Sequence, residues 1–554
     1  MQLSRLLLTV ALLVSPICLL ATTWLYLYPL FDASCGFPVP PPNANPDANQ
    51  QLETRVAPFR LLALGDPQLE GDSSLPDPHK PIFPSVRFLW GDLQNAGSWR
   101  RRRQLLHMGI RDVVKRDLWK LVKGWRKRID LWGNDWYLAH IVRTLRWASE
   151  PSHVAVLGDL LGSQWISDGE FEERGRRYWG RVMRGLEKIG GEVMGGEGEG
   201  EGEEKGRWES RKEVLGEDEG WKRRVINIAG NHDVGYAGDL DENRVERFEK
   251  AFGRTNWDIW FELPPSNGSA ETEEEEGYPP ALRLVILNSM NLDTPALSDS
   301  LQRQSYDFLN HVITTARPVT DKTHATILLT HIPLHKESGI CVDDPFFDFF
   351  QTGSGVKEQN MLSEHASGMI LQGVFGLNGN PHAEGAGLGR HGIIINGHDH
   401  EGCDAVHYIP QDTAQEPDCL AQPAETPEVE EAEKNDSEPK EGTDTDTDPP
   451  PPETFTPNWH AYRLPTSPSR PRVPLHPLSS SPPCSLAPST PHIRELTLRS
   501  MMGDFSGYAG FLSAWFDADL GERGEWVFGF STCGVGVQHW WWGVHILDLV
   551  VLVM

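Results

Sequence analysis

Cysteine is scarce in this chain. There are seven in 554 residues, scattered, with no C-x-x-C pair. That excludes a zinc-finger array and a disulfide-dense scaffold. Positive charge is short too. Lys plus Arg is 51 against 79 for Asp plus Glu, a net charge of −28. A nucleic-acid binder gathers basic residues on one face, so no nucleic-acid partner is expected. The nearest approach to a basic patch is the Arg/Lys cluster from Arg100 to Arg128. It reads as the polar face of helices; its other reading is contact with lipid headgroups or a phosphate-bearing substrate. The acidic excess does not mark an acidic site. Residues 191–220 (11 acidic, 4 basic) and 411–458 (15 acidic, 2 basic) supply −20 of the −28. Both read as disordered insertions, the first Gly/Glu-rich and the second acidic and Pro-rich.

Charge is also missing from both ends. After Arg5, 25 residues pass without a charge, then Phe31 and Asp32. This run is long enough to span a bilayer, with Trp24, Tyr26 and Tyr28 placed like an interfacial belt. It exceeds the apolar run of a cleaved signal, so 5–30 reads as a transmembrane signal anchor, with a cleaved signal as the alternative. Arg5 before the run puts the N-terminus in the cytosol and the rest in a lumen. The last 29 residues, 526–554, hold one formal charge, Asp548. They read as a second span, with a buried helix of the folded domain as the alternative.

Between the anchors the chain is long enough for one large core or two ordinary domains. Residues 31–59 form a stalk, Pro/Asn-rich over 35–56. Short apolar strands are expected at 60–65, 154–157, 224–229, 282–287, 325–329 and 392–396. Helical periodicity fills 100–150, 168–190 and 301–317. W-H-A-Y and H-I-R-E-L-T-L-R-S read as closing strands. The pattern predicts an α/β fold, a β-sandwich flanked by helices, over 60–510. If the domain is luminal, Asn267 and Asn435 are glycosylation acceptors. Cys341 and Cys403 are then candidates to pair, since each follows a block on the same face; a buried thiol is the alternative.

Five blocks carry the chemistry, each directly after a strand, where open α/β folds build sites. Gly65-Asp66-Pro67-Gln68 offers a carboxylate and an amide oxygen. Gly158-Asp159 offers a carboxylate whose two oxygens can serve two cations. Gly230-Asn231-His232-Asp233 offers a neutral oxygen at Asn231 and a proton donor at His232, with Asp233 to orient that imidazole. Thr330-His331 ends a strand. Gly397-His398-Asp399-His400 places two imidazoles on one side of an extended segment. Taken singly, G-D-P and G-D also read as turns. Together, Asp66, Gln68, Asp159, Asn231, His331, His398 and His400 make an oxygen and imidazole set without thiolate. It suits two divalent cations in near-octahedral sites and excludes a structural zinc cluster. A cation pair about 3.5 Å apart can neutralise a phosphate under attack.

The order D-x-Q, G-D, G-N-H-D, H, G-H-D-H resembles the calcineurin-like metallophosphoesterase superfamily. The resemblance implies that Asp66, Gln68, Asp159 and His400 hold one ion. Asp159, Asn231, His331 and His398 hold the other, and His232 assists the leaving group. Gln68 stands where the superfamily normally has His. Further wording (G-D-P-Q-L-E-G-D, L-W-G-N-D-W-Y-L-A-H at 131–140, N-G-H-D-H-E-G-C-D at 396–404, R-S-M-M-G-D-F-S-G-Y-A-G at 499–510) is similar to fungal ER-membrane phosphoesterases that remodel GPI anchors. It covers about 60–190, 222–265, 280–408 and 458–554. That resemblance implies manganese as the metal and a GPI glycolipid or GPI-anchored protein as substrate. The reaction it implies is removal of ethanolamine phosphate from a mannose, the second by local wording. It also implies an ER-membrane location with a luminal catalytic domain, and a link to cargo-export machinery. The rival expectations are a luminal phosphatase on another ester, and a non-catalytic export escort with Gln68 as the lesion.

Overall fold

The computed structural model describes residues 2–41, 56–71, 75, 81–195, 208–264, 278–351, 353–409, 459–464, 490–502 and 507–554. The segment 411–458 and both glycosylation acceptors, Asn267 and Asn435, lie outside the described residues. So does most of the Pro/Asn-rich part of the stalk.

In chain order the first half comprises α1 (Gln2–Phe31), β1 (Phe59–Leu64), α2 (Pro84–Gln94), α3 (Trp99–Asp112), α4 (Trp119–Ser149), β2 (His153–Val156), α5 (Asp168–Arg177), β3 (Glu187–Lys188), β4 (Arg211–Val214), β5 (Arg224–Asn227), α6 (Asn231–Val234), α7 (Glu242–Phe252) and β6 (Trp257–Glu262). The second half comprises β7 (Ala281–Ile286), α8 (Asp299–Thr314), β8 (His324–Leu329), β9 (Phe347–Phe349), β10 (Val356–Gln359), α9 (Glu364–Gly368), β11 (Gly392–Asn396), β12 (Cys403–Tyr408), β13 (His460–Arg463), β14 (His492–Thr497), β15 (Tyr508–Asp517), β16 (Glu525–Gly534) and α10 (Gln538–Val553).

Two mixed sheets face each other. One has the order β16-β15-β1-β2-β5-β3, the other β13-β12-β14-β11-β8-β7-β6-β4. β1 shows how its sequence serves two interfaces. Phe59, Leu61 and Ala63 point into the core between the sheets, with Ile226, Leu284, Ile395 and Phe528. Leu62 and Leu64 point the other way, under Leu138, Val142 and Leu145 of α4. A strand buried on both faces reads as an unbroken apolar run, as F-R-L-L-A-L nearly does. Helices therefore cover the outer faces, and the expected α/β sandwich is what forms.

Three expectations change. First, 526–554 is not a single apolar helix. Trp526 to Gly534 lies in β16, paired along its length with β15. After β16 comes a helix of 16 residues, α10. Among the described residues, one helix is long and apolar enough to cross a membrane, the 29 residues Leu3–Phe31 of α1. α10 packs beside it, with Thr22 donating to Asp548 at 2.7 Å and the Tyr26 hydroxyl 3.1 Å from His545 Nε2. Second, 191–220 is not disordered throughout. Residues 208–220 include β4, which pairs with β6, and Trp208, which packs on the core. Third, the stalk is tied to the domain, since Cys35 is bonded to Cys533 of β16 with Cα atoms 4.7 Å apart. Cys341 and Cys403 do pair, with Cα atoms 5.9 Å apart.

Candidate metal centre

Parallel pairing sets the strand ends at common heights. Leu64 pairs with Val156, Val156 with Asn227, and Leu329 with Ile395. The loops after β1, β2, β5, β8 and β11 therefore leave one edge of the sandwich together, and these are the five blocks. Backbone bonds tie them: Gln68 N donates to the Asp159 carbonyl at 2.8 Å, and Gly397 N to that of His331 at 3.2 Å.

The backbone here is strained. Asp66, Gln68, Asp159 and His398 have φ of 42°, 41°, 49° and 72°. Non-glycine residues pay a steric cost in that region, and such residues cluster at functional sites. Glycines in the blocks make room for side chains of other blocks. A Cβ on Gly158 would stand 2.2 Å from His331 Nδ1, and one on Gly230 would stand 2.2 Å from the Asp159 amide nitrogen.

Asp66, Asp159 and His331 are buried and offer ligand atoms all within 4.8 Å of one another. The tautomers can be read from the partners. His331 Nδ1 lies 2.6 Å from the Leu157 carbonyl oxygen and so carries the proton. Its Nε2 turns a lone pair inward, 3.1 Å from Asn231 Oδ1 and 3.4 Å from Asp159 Oδ1. His398 is held the same way. Its Nε2 donates to the Gln359 carbonyl at 2.7 Å, leaving Nδ1 to face Asn231 Oδ1 at 3.0 Å. Three acceptor atoms thus converge without a proton among them, and a cation relieves that clash. A carbonyl on the far ring nitrogen is the usual way a ligating histidine is fixed. Asp66 Oδ1 accepts from His398 N at 3.3 Å, while Oδ2 is buried with no hydrogen-bond partner. An unpartnered buried carboxylate oxygen is costly unless a cation faces it. The donor set fits a divalent metal.

Electrostatics agree. Burial, with Asp159 alongside, raises Asp66 well above the usual carboxylate range. At Asp159 burial also pushes upward but is outweighed by His331, His232 and His398, so the group is held low. Burial pulls His331 and His400 down, and His398 to about 3. A cation would keep the carboxylates ionised and the imidazoles neutral, which is the ligating state of each.

The remaining expected residues fall around this cluster. Gln68 Nε2 donates to Asp159 Oδ2 and lies 3.1 Å from His400 Nε2. The amide nitrogen faces inward, so Gln68 offers its oxygen only if the amide is turned. His232 sits at the rim, its side chain 38% exposed, with Nε2 3.8 Å from Asp159 Oδ2. Its Nδ1 has no partner. Asp233 does not orient that imidazole. It accepts from the backbone N–H of Leu160, Leu161 and Gly230 at 3.1, 2.9 and 3.0 Å. Its carboxylate therefore splints the second block to the third.

Two residues escaped sequence reasoning. The Gln359 carbonyl that fixes His398 is a backbone atom and leaves no side-chain signal. Glu495 lies under the fifth block, accepting from Asn396 Nδ2 at 2.6 Å and Leu334 N at 2.8 Å. It is also 2.6 Å from Lys336 Nζ and from His407 Nε2. An acidic residue at the centre of the apolar alternation of H-I-R-E-L-T-L was the available signal.

No protein-family model matches the chain. It is similar to Protein TED1 of Saccharomyces cerevisiae, 27% identical over 525 residues, which cover 87% of this chain and 89% of that one. An uncharacterized protein of Schizosaccharomyces pombe is 27% identical over 297 residues, 50% of this chain and 57% of its own. Metallophosphoesterase 1 of Xenopus laevis is 26% identical over 201 residues, 33% of this chain and 43% of its own.

Proposed function

We propose that this chain is a calcineurin-like metallophosphoesterase, a membrane-held phosphodiesterase acting on GPI anchors; its metal-binding triad and its similarity to Protein TED1 of Saccharomyces cerevisiae over most of its length support that reading. It removes ethanolamine phosphate from a mannose of the GPI glycan, the second by local sequence wording, and so supports ER exit of GPI-anchored proteins. The observation that carries the phosphoesterase reading is the convergence of proton-free acceptors on Asn231 Oδ1 beside the unpartnered Asp66 Oδ2. The GPI substrate rests on the resemblance in wording and on α1, which is long and apolar enough to hold the site at a membrane.

Asp66, Gln68, Asp159 and His400 would hold one ion, and Asp159, Asn231, His331 and His398 the other. Two such ions, manganese by resemblance, supply neutralisation of phosphate charge and activation of water. The protein's own residues do the rest. His331 and His398 are locked in the ligating tautomer by backbone carbonyls. His232, half open to solvent, is suited to give a proton to the departing sugar oxygen. Asp233 keeps the Asp159 and Asn231 loops in register. The disulfides Cys35–Cys533 and Cys341–Cys403 support a luminal domain, because such bonds persist in oxidising compartments.

The test is release of ethanolamine phosphate from purified GPI glycolipid with added manganese. The wild type is run beside Asp159→Asn and His398→Ala. Release by the wild type and by neither variant is expected, and the mannose laid bare names the position. No release from folded, metal-loaded wild type would overturn the GPI reading in favour of another phosphoester.

A further inference from the structure

A helical arm stands off the domain and is not used by the site. α3 continues through a π-helical turn at Val113–Leu118 into α4. α2 folds back along it, with Ser85 bonded to the Asp117 carboxylate through both N and Oγ. A Cβ added to Gly109 would stand 2.4 Å from Leu89 Cδ2, so the two helices are in close contact. Beyond that contact the arm buries little. Trp90, Trp99, Trp119 and Trp125 are between 57% and 79% exposed, and Phe88, Ile110 and Ile129 are exposed beside them. Apolar exposure on this scale marks a surface that meets something other than water.

Its charge says what. Residues 99–130 carry 12 Lys and Arg against 3 Asp and Glu, in a chain of net −28. Exposed Trp interleaved with Arg and Lys is the composition of a helix lying in a headgroup layer. There indoles sit at the apolar boundary and cationic tips reach phosphate. The arm is also attached at the right height. α4 meets α1 and α10 at their domain-proximal turns. The His140 ring lies 4.5 Å from that of Tyr26, Tyr137 lies 6.3 Å from Trp541, and Trp132 lies 6.3 Å from Trp542. Tyr26 belongs to the aromatic belt at the end of the apolar run of α1, where that helix leaves the hydrocarbon.

We propose that the α2–α4 arm is a membrane-surface element. It lies on the leaflet from which α1 emerges and binds the phosphates of anionic lipids. The proposal rests on α1 being in a bilayer and does not depend on the reaction catalysed. An arm of this kind would fix the tilt of the domain, and with it the height of the metal centre above the lipid. The occupant proposed is the bilayer itself, because the patch is continuous with the membrane helix and opposite in charge to an anionic surface.

The test is amide hydrogen exchange on the full chain in proteoliposomes, of phosphatidylcholine alone and of phosphatidylcholine with one quarter phosphatidylserine. Exchange across 84–130 is expected to slow by about tenfold or more in the anionic vesicles, and high salt should restore it. The triple variant Arg100→Glu, Arg101→Glu, Arg103→Glu should lose this protection while peptides of β1, β8 and β11 exchange as in wild type. A second variant, Trp90→Ser with Trp99→Ser, should lose protection in both vesicles. Equal exchange of the arm in the two vesicle types would overturn the proposal. Protection that tracks protein density and not lipid composition would also overturn it, and would assign the arm to a second copy of the chain.

Discussion

At the residue scale the centre is defined by which atoms lack protons. His331 and His398 spend one ring nitrogen each on a carbonyl, so each has one lone pair left to give. His232 is different, with Nδ1 unpartnered and the ring at the rim. If it donates the leaving-group proton, His232→Ala should lower kcat by about 10²–10⁴-fold with metal content unchanged. Loss of metal together with activity would reassign His232 to ion binding. Gln68 stands where the resembled superfamily has His and turns its amide nitrogen inward. Gln68→His should tighten retention of the ion beside Asp66 and His400 by about tenfold, the low end for a change beside a metal ligand. Metal titration in a competing chelator would show it, and unchanged affinity would mean Gln68 is not at the ion.

At the scale of elements, the blocks were legible because each sits where an apolar strand stops at a polar pair or turn, four of the five at a Gly followed by a polar residue and the other at Thr330-His331. β1, β2, β5, β8 and β11 fall within a few residues of their expected spans for that reason. β16 was not legible. W-V-F-G is buried on both faces, Trp526 and Phe528 in the core between the sheets and Val527 beside Ala57 and Trp515, and such a strand has no alternation to distinguish it from membrane sequence. The Cys35–Cys533 bond joins residues 498 apart in sequence and carries no local signal. Asp233 was placed on the right loop but given the wrong partner, since adjacency in sequence says nothing of which backbone N–H groups a carboxylate will reach.

Glu495 ties β14, β12 and the loops after β8 and β11 together. Burial would raise its carboxyl, but Lys336 and His407 outweigh burial and hold it well below the usual range. A depressed folded pKa contributes stability that is full above the unfolded value, about 4.3, and is lost as pH falls through the folded value. Glu495→Gln should therefore cost roughly 3–5 kcal/mol near neutrality, because it strands the buried Lys336. The difference from wild type should shrink below about pH 4.3. Denaturant unfolding across pH measures it. A gap that stays constant into acid would show that the ion network is not its source.

At the scale of the whole molecule, composition misleads in one respect and informs in another. The charge of −28 comes largely from two segments that contain none of the candidate site residues, so it says little about the substrate. The apolar N-terminus is informative: α1 is the one described helix fit to cross a membrane, and it packs against α4 and α10 beside the catalytic domain. On the proposed function, a sandwich so held would offer one sheet edge, with the acceptor cluster on it, to substrates in the same membrane.

Under the proposed function, this edge binds a pair of divalent ions through a shared Asp159. Elemental analysis of the full chain, purified after incubation with manganese and desalted, tests it most directly. Two ions per chain are expected in wild type and a clear loss in Asp159→Asn, with the fold retained. Wild-type protein that keeps no stoichiometric metal, or an Asp159→Asn variant that keeps both ions, would contradict it.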